Sequence, residues 1–240
     1  MSTFVRLLGR PSIQRGNDEL EPRAGKTSSL LFYLAYRRGW VARDAVLDLL
    51  YAETDEPRAR QNLRTLLTKI RRFPGARDVE IEPGRVRWAV STDLVAFEEA
   101  LADGRLPLAL ELYRGPLLEG FAPAPSGSFE AWLELERLGL EQRWHDAALE
   151  LAAELDAQGR HRDAATVLAR ALAAEPLDES ALRLQLRALA STGDRTAALA
   201  AYEAFAERLA DELRMEPEAA TLRLADRLRG GDVDDLPDDP

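Results

Sequence analysis

The sequence predicts a mainly α-helical chain with a small β component, in which a winged helix-turn-helix domain precedes an all-α domain of tetratricopeptide-like helical repeats. Three observations support this prediction. Three helical patterns, the third strongly basic, are followed by a β-hairpin signal, which is the element order of a winged helix. Strand signals stop near Asp93, and beyond it a motif recurs at a spacing of 34 residues. Residues 1–90 carry a formal charge of +6 and residues 91–240 one of −16, which indicates two parts with different partners.

Composition limits the classes of function. The chain has 240 residues, of which 46% are hydrophobic, so it is long enough for one or two domains with real cores. It has no cysteine and two histidines, which excludes disulfides and thiolate metal sites and argues against a histidine-rich metal centre. No long apolar run or N-terminal signal is present, so we expect a cytoplasmic protein with no membrane partner. No nucleophile–base set is recognisable, and we predict neither an enzyme nor a cofactor or metal site.

The N-terminal elements are short. Residues 3–8 alternate apolar and polar side chains and predict a strand, and Pro11–Gln14 predicts a second. The Arg-Gly-Asn-Asp segment at 15–18 has the residues of a turn. Helices are predicted at Lys26–Arg38 and Arg43–Leu50, and Gly39 provides a stop for the first.

The segment from Arg58 to Phe73 predicts an amphipathic helix. Its apolar face is formed by Leu63, Leu66, Leu67 and Ile70. The segment contains five arginines, one lysine and no acidic residue. Because a helix of one charge sign repels itself, the missing negative charge is expected from a partner, and DNA phosphate is the obvious candidate. The alternative is a solvated surface helix that happens to be basic.

A hairpin is predicted after this helix. Residues 79–81 and 86–90 alternate in polarity and flank Pro83-Gly84. This hairpin would form the wing, and its arginines, Arg85 and Arg87, could reach the DNA backbone or the minor groove. An ordinary solvated ribbon is the alternative for these two side chains.

The rest of the chain predicts helices separated by Gly and Pro breaks. They are placed at residues 94–101, 106–113, 129–157, 161–174, 178–191, 195–212 and 217–228. Gly159 and Gly193 lie 34 residues apart and are followed by similar alanine-rich segments, with a weaker copy of the motif after Gly104. This period is typical of tetratricopeptide repeats. The predicted domains are therefore a DNA-binding domain at 1–91, a helical repeat domain at 92–229 and an acidic disordered tail at 230–240.

Several strings resemble the bacterial transcriptional activators of the antibiotic-regulatory type, which join an OmpR-like winged helix to a bacterial transcriptional activator domain. The strings are LLFYLAYRRG (30–39), ARQNLRTLLTKIRR (59–72), LYRGPLLEGF (112–121), FEAWLELER (129–137), AEPLDESALRLQL (174–186) and LADELRMEPEAATLRL (209–224). Two departures are mild: Arg214 stands where the family favours glycine, and Tyr51 where it favours tryptophan. The resemblance implies an activator that binds direct repeats at promoters and helps to recruit RNA polymerase.

Candidate DNA contacts follow from the polar face of the basic helix and from the wing. Four side chains are predicted to read base edges, because Gln pairs with adenine, Arg with guanine and a Thr methyl packs on thymine: Gln61, Arg64, Thr65 and Thr68. Five are predicted to contact phosphate and to set the register: Arg60, Lys69, Arg72, Arg85 and Arg87.

The predicted function is therefore a sequence-specific transcriptional regulator, an activator by its resemblance. Its partners would be double-stranded DNA, RNA polymerase and a second copy of the chain, with the helical repeats serving dimerisation or protein contacts. The alternative is a protein-interaction scaffold in which the winged helix no longer binds DNA. We expect both histidines, His145 and His161, on helix surfaces or at turns, and both Trp132 and Trp144 in helix packing.

Overall fold

The computed structural model describes residues 3–123 and 126–231, and in these ranges the chain forms ten α-helices and seven β-strands. The predicted fold class is confirmed. The chain divides into two compact units, residues 1–144 and 145–240. Residues 232–240 of the predicted tail lie outside the described residues. No helix in the described ranges has both the length and the apolar content to span a membrane.

A four-stranded sheet opens the first unit. Its strands are β1 (Thr3–Arg6), β2 (Ser12–Arg15), β3 (Asp18–Leu20) and β7 (Ser91–Thr92), in the order β3-β2-β1-β7. β1–β2 and β2–β3 pair antiparallel, whereas β1–β7 pair parallel. The strands β3 and β7 were not predicted, because two or three residues are too few to show an alternating pattern.

Three helices follow the sheet: α1 (Lys26–Arg37), α2 (Arg43–Tyr51) and α3 (Glu56–Arg71). α3 begins two residues before the predicted start. The side chain of Asp55 accepts a hydrogen bond from the amide of Arg58 and caps the helix, and Pro57 lies in the first turn, where its missing N–H is harmless. The residues of the predicted apolar face are all buried: Leu63, Leu66, Leu67 and Ile70.

A three-stranded sheet contains the wing. Its strands are β4 (Val41–Ala42), β5 (Glu80–Glu82) and β6 (Arg85–Arg87), in the order β4-β6-β5. The central residue Val86 is fully buried and pairs with Val41 on one side and Ile81 on the other. The predicted hairpin therefore forms, and the unpredicted β4 joins it to the segment before α2.

Three further helices follow: α4 (Asp93–Ala102), α5 (Leu106–Leu112) and α6 (Gly127–Ala157). The first two belong to the first unit, which ends at Trp144 within α6. The loop after α5 pairs with the bend after β1, through a bridge between Leu8 and Leu117 and a bond from the Leu118 amide to the Leu7 carbonyl (2.8 Å). The compact unit therefore extends past residue 91, because the LYRGPLLEGF segment is hydrogen-bonded to the bend after β1.

Aromatic contacts join α1 to the first half of α6. The ring of Trp132 makes edge contacts with Tyr33 and Tyr36, with centroids 4.9 and 5.2 Å apart. Trp144 stacks on Tyr113 at 5.6 Å. The predicted packing role of both tryptophans is confirmed.

The second unit contains the last turns of α6 and four more helices: α7 (His161–Ala174), α8 (Glu179–Ser191), α9 (Arg195–Leu213) and α10 (Ala219–Gly230). α8, α9 and α10 share a core that includes Leu186, Tyr202, Phe205 and Leu228. Burial of such side chains is the main stabilising term of a helical array.

Three glycines end helices with the same hydrogen-bonded turn. Gly104, Gly159 and Gly193 all have φ between 67° and 81°. Each amide bonds the carbonyl three residues earlier, and the next residue's amide bonds the carbonyl five residues earlier, as in Arg160 to Leu155 (2.8 Å). The 34-residue motif and its weaker copy therefore mark equivalent helix ends.

Candidate nucleic-acid interface

The four predicted base-reading residues lie on the exposed side of α3. Gln61, Arg64, Thr65 and Thr68 are all exposed, and the opposite side of the helix is buried in the core of the first unit. Because the apolar face is held inside, these polar side chains are presented outward along about two turns of rigid helix. This is the geometry that a helix needs in order to enter the major groove.

Two of these side chains have their hydroxyls engaged within the helix. Thr65 Oγ1 donates to the carbonyl of Gln61 at 3.2 Å, and Thr68 Oγ1 donates to the carbonyl of Arg64 at 3.0 Å. The hydroxyl proton is thus used by the backbone. The threonine methyl group remains free to pack on a thymine methyl, and the hydroxyl oxygen can still accept a hydrogen bond.

The predicted phosphate contacts on the helix have different surroundings. Arg60 forms an exposed ion pair with Glu56 at 2.5 Å. Lys69 and Arg72 lie beside Arg23 at the other end of the helix, where they line an open cavity of about 530 Å³. The structure therefore separates these cations into two groups, one at each end of α3.

A cleft brings the first group next to the wing. It has a volume of about 240 Å³, and its charged lining comprises Arg43, Asp44, Arg60 and Arg64, with Gly84 of the wing turn at its edge. The three guanidinium groups outnumber Asp44 of the lining and Glu56, the ion-pair partner of Arg60, so the local charge is positive, which suits a phosphodiester backbone.

The wing arginines are paired. Arg85 Nη2 lies 2.7 Å from Glu82 Oε2, and Arg87 Nη2 lies 2.8 Å from Glu80 Oε1. Both guanidinium groups also lie over the ring of Trp40, at 4.2 and 4.7 Å from its centroid. Each guanidinium group thus lies between a carboxylate and the Trp40 ring and stays partly exposed.

Two residues of this region were missed in the sequence. Arg43 holds the wing in place, because its amide donates to the Gly84 carbonyl (2.8 Å) and its Nη2 donates to the Glu82 carbonyl (2.9 Å). The available signal was a cation in the first turn of a helix, where acidic residues are favoured. Trp40, the platform for the wing arginines, could have been noticed as a large aromatic residue just outside a helix.

One of the two histidines does not lie where it was expected. His161 lies in the first turn of α7, with Nδ1 2.6 Å from Asp156 Oδ1. The expectation for His145 is wrong, because this side chain is only 2% exposed and Nε2 lies 2.7 Å from Asp178 Oδ2. With Glu175 these groups bring three possible metal ligands within 4.8 Å of one another. However, the other oxygen of Asp178 accepts from the amides of Ser180 and Ala181 and caps α8, so hydrogen bonding accounts for the arrangement.

Comparisons with known proteins found a family model and a solved structure that match the chain over more than half of its length. The family model described as "Bacterial transcriptional activator domain" matches residues 91–229. Among solved structures, the chain is similar to Mycobacterium tuberculosis EmbR in complex with a low affinity phosphopeptide, with 20% sequence identity and a TM-score of 0.67. The match covers 98% of this chain and 66% of the EmbR chain, so the present chain spans just under two thirds of that protein's length. No curated protein matches the chain.

Proposed function

Because the chain belongs to the bacterial transcriptional activator domain family, we propose that it is a sequence-specific DNA-binding regulator that activates transcription in the cytoplasm. In this proposal residues 1–91 bind direct repeats at promoters through α3 and the wing. Residues 92–229 provide contacts with RNA polymerase or with a second copy of the chain. The protein has no catalytic chemistry of its own and acts through binding alone.

One observation carries the proposal. The exposed face of α3 presents Gln61, Arg64, Thr65 and Thr68 on a helix whose other face is buried, and the same helix shares a cationic cleft with the wing turn. A helix that reads bases next to a wing that contacts the backbone is the arrangement by which winged helices dock on duplex DNA.

Charge supports the same assignment. Among the described residues, no carboxylate forms an ion pair with Arg64, Lys69 or Arg72. These cations are therefore available to phosphates without first losing a partner. Phosphate neutralisation releases counterions from DNA and makes the affinity depend steeply on salt.

A salt titration of duplex binding tests the proposal. If about six phosphates are neutralised, a plot of log affinity against log salt should have a slope near −5. The double variant Arg64→Glu/Lys69→Glu should lose binding, whereas Arg162→Glu/Arg208→Glu, which changes the net charge equally at exposed positions of the second unit, should keep it. Equal losses in both variants would leave only a non-specific charge effect.

The second candidate function is a protein-interaction scaffold. The strongly acidic C-terminal part, with −16 over residues 91–240, favours it because such a surface is repelled by DNA. This candidate predicts no measurable affinity for duplex DNA even at low salt, whereas the DNA-binding proposal predicts its strongest binding there.

A further inference from the structure

The wing carries four charges on one face that sum to zero. In the hairpin register, Glu80 lies opposite Arg87 and Glu82 lies opposite Arg85, while Ile81 lies opposite the buried Val86. Since side chains alternate between the two faces of a sheet, the two glutamates and two arginines project together on the outer face. A wing that is expected to approach phosphates therefore carries as much negative as positive charge.

The arginines are held from both sides. Arg87 donates from Nε to Glu80 Oε1 at 3.1 Å and from Nη2 to Glu80 Oε2 at 2.9 Å, so two donor nitrogens engage the two carboxylate oxygens. Arg85 donates to Glu82 from Nε at 2.8 Å. The ring of Trp40 covers both guanidinium groups. Each arginine is thus fixed between an aromatic face and a carboxylate.

The contrast with α3 indicates what the glutamates do. On the helix, Arg64 and Lys69 have no ion-pair partner in the described part of the chain and only Arg60 of the predicted contacts is paired, with Glu56, whereas both wing cations are paired. An exposed ion pair is worth about 0–1 kcal/mol, so a phosphate held close by a correctly docked helix can displace the carboxylate. A loosely docked duplex places no phosphate beside the wing arginines and therefore cannot displace the carboxylates.

We propose that Glu80 and Glu82 are specificity-determining residues that keep the wing arginines neutralised on non-target DNA. This inference rests on the proposed DNA binding. Sequence-independent affinity grows with the number of phosphates that cations neutralise. By removing two cations from the non-specific complex, the glutamates lower its affinity and widen the gap between target and non-target sequences.

The test measures the affinity of the full chain for a mixed-sequence duplex of about 20 base pairs, which spans roughly two helical turns, across a range of salt concentrations. Glu80→Gln/Glu82→Gln keeps the side-chain shape and frees both arginines. This variant should bind about tenfold more tightly, and its log–log salt slope should be steeper by about 1.8, the value for two added phosphate contacts. Thermal unfolding of the same samples checks that the fold is unchanged.

A matched control separates the local effect from net charge. Glu203→Gln/Glu207→Gln removes the same two charges from exposed positions on α9 and should leave the slope as in the wild type. An unchanged slope in Glu80→Gln/Glu82→Gln, or an equal change in the control, would overturn the inference while leaving the DNA-binding proposal intact. Failure of the wild type to bind the duplex at low salt would overturn both.

Discussion

The carboxylate of Asp93 accepts hydrogen bonds from the backbone amides of Leu7, at 2.7 Å, and of Leu8, at 3.1 Å. Asp93 opens α4, whereas Leu7 and Leu8 follow β1, so this contact joins the first helix of the family domain to the first sheet of the winged helix. All three residues are buried. A charged group in such a position makes stability depend on pH.

Burial raises the pKa of the Asp93 carboxyl above its usual value of 3.8, and the bonds from Leu7, Leu8 and Leu94 oppose that shift. At pH values between 3.8 and the raised pKa, the folded chain therefore keeps a proton on Asp93 that the unfolded chain has lost. As the pH rises above 3.8 through the raised pKa, this group lowers the free energy of unfolding. Asp93→Asn cannot titrate and should cost about 1–3 kcal/mol, because its NH₂ group cannot accept from an amide.

Urea unfolding of both proteins between about pH 4 and pH 7.5 checks this prediction. The difference in unfolding free energy between wild type and Asp93→Asn should narrow as the pH rises. Asp103→Asn, at an exposed surface pair, serves as the control and should change the free energy of unfolding by less than about 0.5 kcal/mol. A difference that widens with pH would show that the native pKa of Asp93 is lowered instead.

Arg64 and Lys69 should respond differently to truncation, although both are exposed cations of α3. Arg64→Ala should weaken binding to a preferred duplex by roughly 5- to 150-fold and relax the preference at one base position. Lys69→Ala should weaken binding to all sequences alike and reduce the salt slope by about 1. Competition assays with single-base variants of the preferred site measure both effects. A uniform loss for Arg64→Ala would contradict its base-reading role.

Thr65 should act through its methyl group, because its hydroxyl bonds the Gln61 carbonyl. Thr65→Val keeps the methyl and should retain any preference for thymine, whereas Thr65→Ser keeps the hydroxyl and should lose it. Loss of one buried methyl group corresponds to about 0.8 kcal/mol, or roughly fourfold in affinity. If Thr65→Ser kept the preference for thymine and Thr65→Val lost it, the hydroxyl would have to leave the Gln61 carbonyl and bond a base.

Replacing Arg214 by glycine should stabilise the second unit. It ends α9 in the left-handed region, with φ of 57°, and its amide bonds the Ala210 carbonyl. Since this conformation costs a non-glycine residue roughly 1–2 kcal/mol, Arg214→Gly should raise the melting temperature of the second unit. Arg208→Gly, in the interior of the same helix, should lower it by the usual cost of glycine in a helix, about 1 kcal/mol. Destabilisation by both substitutions would contradict the assigned strain.

The sequence predicted the elements whose periodicity is long and whose ends carry strong signals. The apolar spacing of Leu63, Leu66, Leu67 and Ile70 was sufficient to place the buried face of α3. The glycine turns at residues 104, 159 and 193 were visible because a positive φ favours glycine at a helix end. Patterns of this kind depend only on neighbours along the chain.

What could not be predicted depends on residues far apart in the chain. The stacking of Arg85 on Trp40 requires β4, a two-residue strand with no pattern of its own. The burial of His145 requires Asp178, 33 residues later, at the cap of another helix. The charge balance of the wing could in part have been predicted from the sequence, because a hairpin centred on Pro83-Gly84 places Glu82 opposite Arg85. Whether base and phosphate contacts form as proposed stays a prediction.

The most direct test of sequence-specific DNA binding is selection from a randomised duplex pool with the full chain at near-physiological salt. We expect an enriched motif that occurs twice, with repeats about 10–11 base pairs apart, one helical turn of DNA. Arg64→Ala should change the base selected at one position of that motif. Recovery of DNA with no enriched motif would contradict base reading, and no recovery even at low salt would favour the protein-interaction scaffold.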